Sequence, residues 1–218
     1  VVNGQNQYFI DGHVDLENKT LIVSQTLTFK NPSNKSLEKI YLSDWANSYE
    51  GTKSPLVKHL ANQFNRSFYL SSKSKLGFTN IESLSCNNNK LKWSRIKGQL
   101  DLIEITLEKP LKAEEKITIN LNYQIKIPDD KFTGYGINSN NRIFFRDFFI
   151  TLNPFINEKW ILQSNLGLRD NSNISSNYLI NWTYPESYNL VSNLNQIDIP
   201  KSFKNGYISS HWMASNLS

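Results

Sequence analysis

The sequence predicts an all-β fold, a two-layer sandwich of antiparallel strands with one short helix over about 54–68. Three observations predict it. In TLIVSQTLTFK, Leu21, Val23, Leu27 and Phe29 fall on one side of an extended chain and Ser24, Thr26, Thr28 and Lys30 on the other, which is the period of a half-buried strand. Gln25 is the one exception on the apolar side. The second is KITINLNYQIKI, which sets Ile117, Ile119, Leu121, Tyr123, Ile125 and Ile127 against Thr118, Asn120, Asn122, Gln124 and Lys126. A one-residue slip would turn that whole apolar row to water, at about 1.5–3 kcal/mol for each large side chain, more than the net stability of a typical domain. The third is punctuation. Clusters such as NPSNKS, Asn87-Asn88-Asn89 and Lys97-Gly98-Gln99 recur between the apolar runs, and asparagine tolerates left-handed backbone angles well enough to carry turns where glycine is scarce.

Taken in order, Tyr8, Ile10, Val14 and Leu16 alternate with Phe9, Asp11, His13 and Asp15, and Glu17-Asn18-Lys19 turns the chain into the Thr20–Lys30 strand, predicting a hairpin. Leu37, Ile40 and Leu42 form the next strand, which leaves through Trp45 and Tyr49. From Ser54 to Phe68 the period changes. Ser54 suits the cap, Pro55 the first helical position, and Leu56, Val57, Leu60, Ala61 and Phe64 one apolar stripe covering an end or a face of the sheet. A meander follows over 81–86, 91–96, 102–107 and 116–127. Beyond Pro128 the chain is aromatic and less regular. Tyr178, Ile180, Trp182 and Tyr184 then alternate, Pro185 to Ser187 turns, Tyr188 to Val191 extends, and a last strand spans about 206–213.

The composition narrows the function classes. With 218 residues the chain can bury one large core. Lys+Arg 24 against Asp+Glu 19 gives a formal charge of only +5, and the densest basic windows, 53–75 and 90–97, read as solvated surface, so no nucleic-acid partner is expected. The lone Cys86 excludes an internal disulfide and a cysteine zinc cluster. Cysteine poverty suits reduced cytosolic and bacterial envelope proteins alike, and the reading leans to the cell envelope or secretion. The apolar run 143–152 is broken by Arg146 and Asp147 and is too short to span a bilayer, and VVNGQNQ lacks the basic and apolar regions of a signal peptide. Asn-x-Ser/Thr triplets such as Asn18 to Thr20 are expected by chance in so asparagine-rich a chain.

Catalytic patterns are sparse. His13, His59 and His211 share no helix face, and no H-E-x-x-H, phosphate loop or G-x-S-x-G elbow occurs. Asp129-Asp130 and Glu114-Glu115 sit in turns, where charge usually means solvation. The expectation is a chain with no catalytic residue, metal or cofactor of its own. One reading is a stand-alone β-sandwich binding module for carbohydrate or a protein partner, with Trp45, Tyr49, Trp160 and Trp182 as aromatic platforms.

The other reading is a resemblance. The run Leu37-x-x-Ile40-Tyr41-Leu42-x-x-Trp45-x-Asn47-x-Tyr49, after a strand ending TFKNPS, resembles the N-terminal β-domain of the gluzincin aminopeptidases, the group of aminopeptidase N and its bacterial relatives. LEKPLKAEEKITINLNYQIKIPDD, FTGYG, NWTYPESYNLVSN and YISSHWMASN are similar, in order, to the family's strand–turn–strand, aromatic loop, closing strand pair and last strand before the catalytic domain. The resemblance implies a saddle-shaped two-layer domain over 1–218, bracing a thermolysin-like zinc domain and walling its substrate cleft. Zinc, its ligands and the catalytic Glu would belong to that following domain, the partner here, and a peptide would be the parent enzyme's substrate. Family members often supply a Gln or Glu from this domain to the substrate's amino group. The corresponding stretch FFITLNPFINEKW offers Asn153 and no acid or Gln until Glu158, and Pro154-Phe155-Ile156 resembles the W-Y-P-x-L variant. The resemblance therefore points to Tyr135, Asn153, Phe155, Glu158 and Trp160 as substrate-cleft or interdomain contacts.

Overall fold

The computed structural model describes residues 6–167 and 174–217, so the first five residues of the VVNGQNQ opening lie outside the described residues. β1 (Asn6–Asp15) and β2 (Thr20–Lys30) form the expected hairpin, and Asp15 accepts both the backbone N–H of Asn18, at 3.0 Å, and its side-chain amide, at 2.7 Å. β3 (Leu37–Ser43) runs into a 3-10 helix at Trp45–Tyr49 and then α1 (Pro55–Asn62). Next come β4 (Phe78–Cys86), β5 (Asn89–Lys90), β6 (Lys92–Ile96), β7 (Gln99–Leu111) and β8 (Lys116–Lys126). Five two-residue strands follow: β9 (Gly136–Ile137), β10 (Ile143–Phe144), β11 (Thr151–Leu152), β12 (Phe155–Ile156) and β13 (Lys159–Trp160). β14 (Ser176–Pro185), the short β15 (Asn195–Gln196) and β16 (Lys201–Ser202), and β17 (Tyr207–Leu217) complete the chain.

The all-β, sandwich-like class is as the sequence predicts. A nine-stranded sheet runs β15-β17-β14-β1-β2-β8-β4-β5, with β16 also on β17, and a four-stranded sheet runs β11-β3-β7-β6. Leu21, Val23 and Leu27 of β2 and Ile119, Leu121 and Ile125 of β8 meet Ile40, Leu42, Ile103 and Ile105 of the smaller sheet in one buried cluster. The row Ile119, Leu121, Tyr123 and Ile125 on β8, with Ile127 just past its end, is buried, as its alternation requires.

The structure corrects the sequence reading in four places. The segment 78–126 is not a meander: β4 pairs with β8, and β6 with β7 in the other sheet. Alternation fixes which face of a strand is buried and leaves its neighbour open. Second, the strands are not all antiparallel, since Asn6–His13 of β1 lies parallel to Ser176–Thr183 of β14. A parallel pair needs a long crossover, and here most of the chain lies between the two strands. Third, α1 stops well short of 68. Ser54 Oγ accepts the N–H of Val57 at 3.3 Å, with Pro55 opening the helix, but Phe64 adopts φ +63 and stands 89% exposed. Asn65 N–H donates to the Leu60 carbonyl at 2.9 Å and Phe64 N–H to that of Ala61 at 3.0 Å, the paired bonds of a Schellman C-terminus. Leu56 and Val57 pack with Tyr49, Phe68 and Phe132 in a second, smaller buried cluster. Fourth, Tyr188–Val191 forms no strand.

Candidate functional site

The small sheet has four strands and the large one nine, so part of the large sheet's inner face is covered only by irregular chain. At the β14–β17 end that cover is the aromatic segment 143–151 and the loop 190–194, and between them and β14 lies a cavity of about 610 Å³. Such a volume is in the range that holds small ligands.

Two buried tyrosines and the exceptional Gln25 hold the aromatic segment in place. The Ile150 N–H donates to Tyr123 Oη at 3.2 Å and the Leu152 N–H to Tyr8 Oη at 2.9 Å. Gln25 Nε2 donates to the Ile150 carbonyl at 2.6 Å, while its Oε1 accepts the Tyr123 hydroxyl at 2.6 Å. Burial pushes both phenols well above their ordinary pKa, so they act as neutral hydrogen-bonding groups. The segment thus crosses the sheet with side chains satisfying the Ile150 N–H and carbonyl just before β11 joins β3.

Phe145 stacks on Trp182 at 6.0 Å between centroids, Phe149 lies at 5.5 Å from the same indole, and Phe148 packs on Phe145 at 4.9 Å. Arg146 and Asp147 enter this aromatic wall as an ion pair, Nε to Oδ2 at 3.3 Å, with side chains 33% and 22% exposed. The guanidinium also lies 6.0 Å from the Tyr135 ring and donates to the Tyr135 hydroxyl at 3.4 Å. The Tyr135 contact and the Asp147 charge hold Arg146 firmly protonated. Asp147 takes φ +52, a conformation uncommon outside glycine that repays a functional explanation.

Of the five residues read as substrate-cleft or interdomain contacts, Tyr135 alone lines this cavity, and Trp182, read as an aromatic platform, lines it as well. Phe155, Glu158 and Trp160 share the β12–β13 hairpin, where Asn157 and Glu158 both take positive φ, the geometry of a tight two-residue hairpin turn. Phe155 and Glu158 border a recess of about 390 Å³ with Pro32, Ser33, Asn34 and Asn157, and Glu158 pairs with Lys35 at 2.7 Å. Trp160 is half-buried against Phe29, Tyr41 and Phe155. Asn153 is 1% exposed: its N–H donates to the Tyr41 carbonyl and its Oδ1 accepts the Ser43 hydroxyl, while Nδ2 has no hydrogen-bond partner among the described residues. The cavity's own residues gave one signal in the sequence, a charged Arg-Asp pair inside the aromatic run IFFRDFFI.

Three of the four proposed aromatic platforms are core residues. Trp45, Tyr49 and Trp182 are buried, which removes the stacking surface a carbohydrate module would present. His13 lies against Tyr207, His59 beside Gln63 and His211 on Asp198, each on a different element, and no group of three His, Cys, Asp or Glu side chains converges among the described residues. Beneath the Trp45–Tyr49 helix lie two buried carboxylates. Asp44 accepts from Arg95 at 2.8 Å and from Thr79 Oγ1 at 2.7 Å, and Asp101 accepts the Asn165 N–H at 2.6 Å. Burial raises the pKa of both; Arg95 opposes the shift at Asp44, and the Asn165 N–H opposes it at Asp101.

No family model matches the chain, and no curated protein matches it. Among solved structures it is similar to an M1 zinc metallopeptidase from Deinococcus radiodurans, at 15% identity and a TM-score of 0.49, over 96% of this chain and 39% of that one. A mutant of the Deinococcus radiodurans M1 zinc metallopeptidase bound to a Tyr-Ser-Ala substrate is similar at 14% identity and a TM-score of 0.49, over 96% of this chain and 38% of that one. The chain thus spans less than two-fifths of the length of these structures. Likenesses this low place it in no family.

Proposed function

We propose that this chain is the noncatalytic N-terminal β-domain of a zinc metallopeptidase of the aminopeptidase N type, bracing a following catalytic domain and walling its substrate cleft. One observation carries the reading: the family-like motifs, which keep the family's order, fall on elements of the two-sheet framework. The Leu37–Tyr49 run is β3 and its 3-10 helix, LEKPLKAEEKITINLNYQIKIPDD runs from the end of β7 through β8, FTGYG meets β9, NWTYP closes β14, and YISSHWMASN is β17. Chance matches to a β-domain would have no reason to keep that order.

An apolar row on the outer face supports the bracing role. Phe9 of β1 is in register with Leu179 of β14, and Leu179 with Met213 of β17, and all three are 37–48% exposed. Solvent-facing sheet surface is usually polar, and a contiguous apolar row marks a surface for a neighbouring protein body. In this reading Asn153 and the Phe155–Trp160 hairpin lie toward the cleft, and zinc resides in the neighbouring domain.

Determining the coding sequence downstream of Ser218 tests the proposal. It requires an H-E-x-x-H motif with a further Glu about 20 residues on, a spacing suited to two zinc-binding histidines on one helix face and a third ligand. A stop codon directly after Ser218 would overturn it.

A further inference from the structure

We propose that the aromatic cavity over β14 is a binding site for a small zwitterion with an aromatic or large apolar side chain, of the class of a free α-amino acid. The inference does not depend on the metallopeptidase reading.

The cavity combines a dry wall with a charged pair. The partly buried Phe145 and Phe149, backed by the buried Trp182, form one side, and Leu190, Leu194 and the exposed Val191 line the other. Arg146 and Asp147 stand together at the same space with Tyr135 beside them. The arrangement selects by charge. Arg146 would attract a simple carboxylate, but Asp147 repels it from 3.3 Å away; a simple amine meets the converse. A molecule carrying both charges on one carbon satisfies both. Its carboxylate adds to the Arg146 guanidinium and its ammonium to the Asp147 carboxylate, beside the contacts these two groups already make.

The local structure is built for this placement. Asp147 holds a left-handed φ of +52, and on either side of the pair Phe145, Phe148 and Phe149 are packed on one another or on Trp182. The Gln25–Tyr123–Ile150 bonds fix the segment three residues further on. The charged pair is thus presented from a rigid, aromatic-anchored stretch of chain, and the side chain of a ligand would enter among rings that favour another ring.

The test is calorimetric titration of the 218-residue chain with L-phenylalanine, with Trp fluorescence excited beyond phenylalanine absorption as a second readout. Saturable binding is expected, at least about tenfold tighter than for 3-phenylpropionate, phenethylamine or glycine, since each lacks one of the three recognised groups. Arg146→Met and Asp147→Asn each weaken it at least about tenfold. Val191→Trp, at a rim position that is 89% exposed and so tolerant of change, blocks entry with the fold intact as judged by circular dichroism. No binding at millimolar L-phenylalanine, or equal binding of the one-headed analogues, overturns the proposal, as does unchanged affinity in folded Val191→Trp.

Discussion

Replacing Gln25 by leucine restores the apolar alternation of β2 and should nevertheless weaken the protein. Gln25 is 2% exposed, donates to the Ile150 carbonyl and accepts from the Tyr123 hydroxyl, both at 2.6 Å. Leucine leaves that carbonyl and that hydroxyl each without a partner it now has, at about 1–3 kcal/mol apiece, against a gain of about 1–2 kcal/mol from the more apolar side chain. At the centre of these ranges the net loss is about 2–3 kcal/mol, and about 2–4 °C in Tm for each kcal/mol in a chain of this size. Urea unfolding of Gln25→Leu, Tyr123→Phe and the double variant reads both the loss and the coupling. The double variant should be more stable than the sum of the singles by at least about 0.5 kcal/mol, because it removes the hydroxyl that leucine strands. A Gln25→Leu protein as stable as the parent, or additive singles, would refute the claim that this glutamine anchors the aromatic segment.

Asp101 is buried and its pKa is raised by that burial, so its favourable contribution is complete below the unfolded value of 3.8 and is lost as pH rises through the higher folded value. Asp101→Asn keeps an acceptor for the Asn165 N–H and should flatten the fall in stability above pH 3.8, which denaturant midpoints measured from pH 3 to pH 8 would show. Phe64 holds the left-handed C-terminal position of α1 with its ring 89% exposed, so Phe64→Gly should raise stability by up to about 1 kcal/mol, and a thermal melt with no gain would contradict the assignment.

Much of the fold was legible because alternation is a strong signal when one face is buried. β2 and β8 were readable residue by residue, and so was the β1–β2 turn at Glu17-Asn18-Lys19, in which the structure adds the bonds from Asn18 to Asp15. Asparagine was also read correctly as a turn former, since six of the eleven described non-glycine residues with positive φ are Asn. Pairing was not legible. Nothing in β7 states that its partners are β3 and β6, because strand neighbours are chosen by packing across the whole body. The end of α1 was hidden because Phe64 fits an apolar helical stripe as well as it fits a Schellman turn.

The cavity was the least legible part. Arg146 and Asp147 read as an interruption of an apolar run, and their role emerges only when β14 brings Trp182 beneath Phe145 and Phe149. Asn153 and Trp160 drew attention by position in a resemblance, and the first is 1% exposed while the second packs half-buried on Phe155. Gln25 is the instructive case. A polar residue in an apolar row marked the point where the sheet grips a segment with no strand partner there of its own.

The central claim, that this chain braces a neighbouring domain, is tested most directly by oxidative footprinting of Met213, its one methionine, which stands 40% exposed beside Leu179 on the outer apolar row. The account predicts rapid conversion to the sulfoxide in the isolated chain and at least about tenfold slower conversion in the longer protein, because contact with a partner domain excludes the oxidant. Equal rates in the two would contradict it.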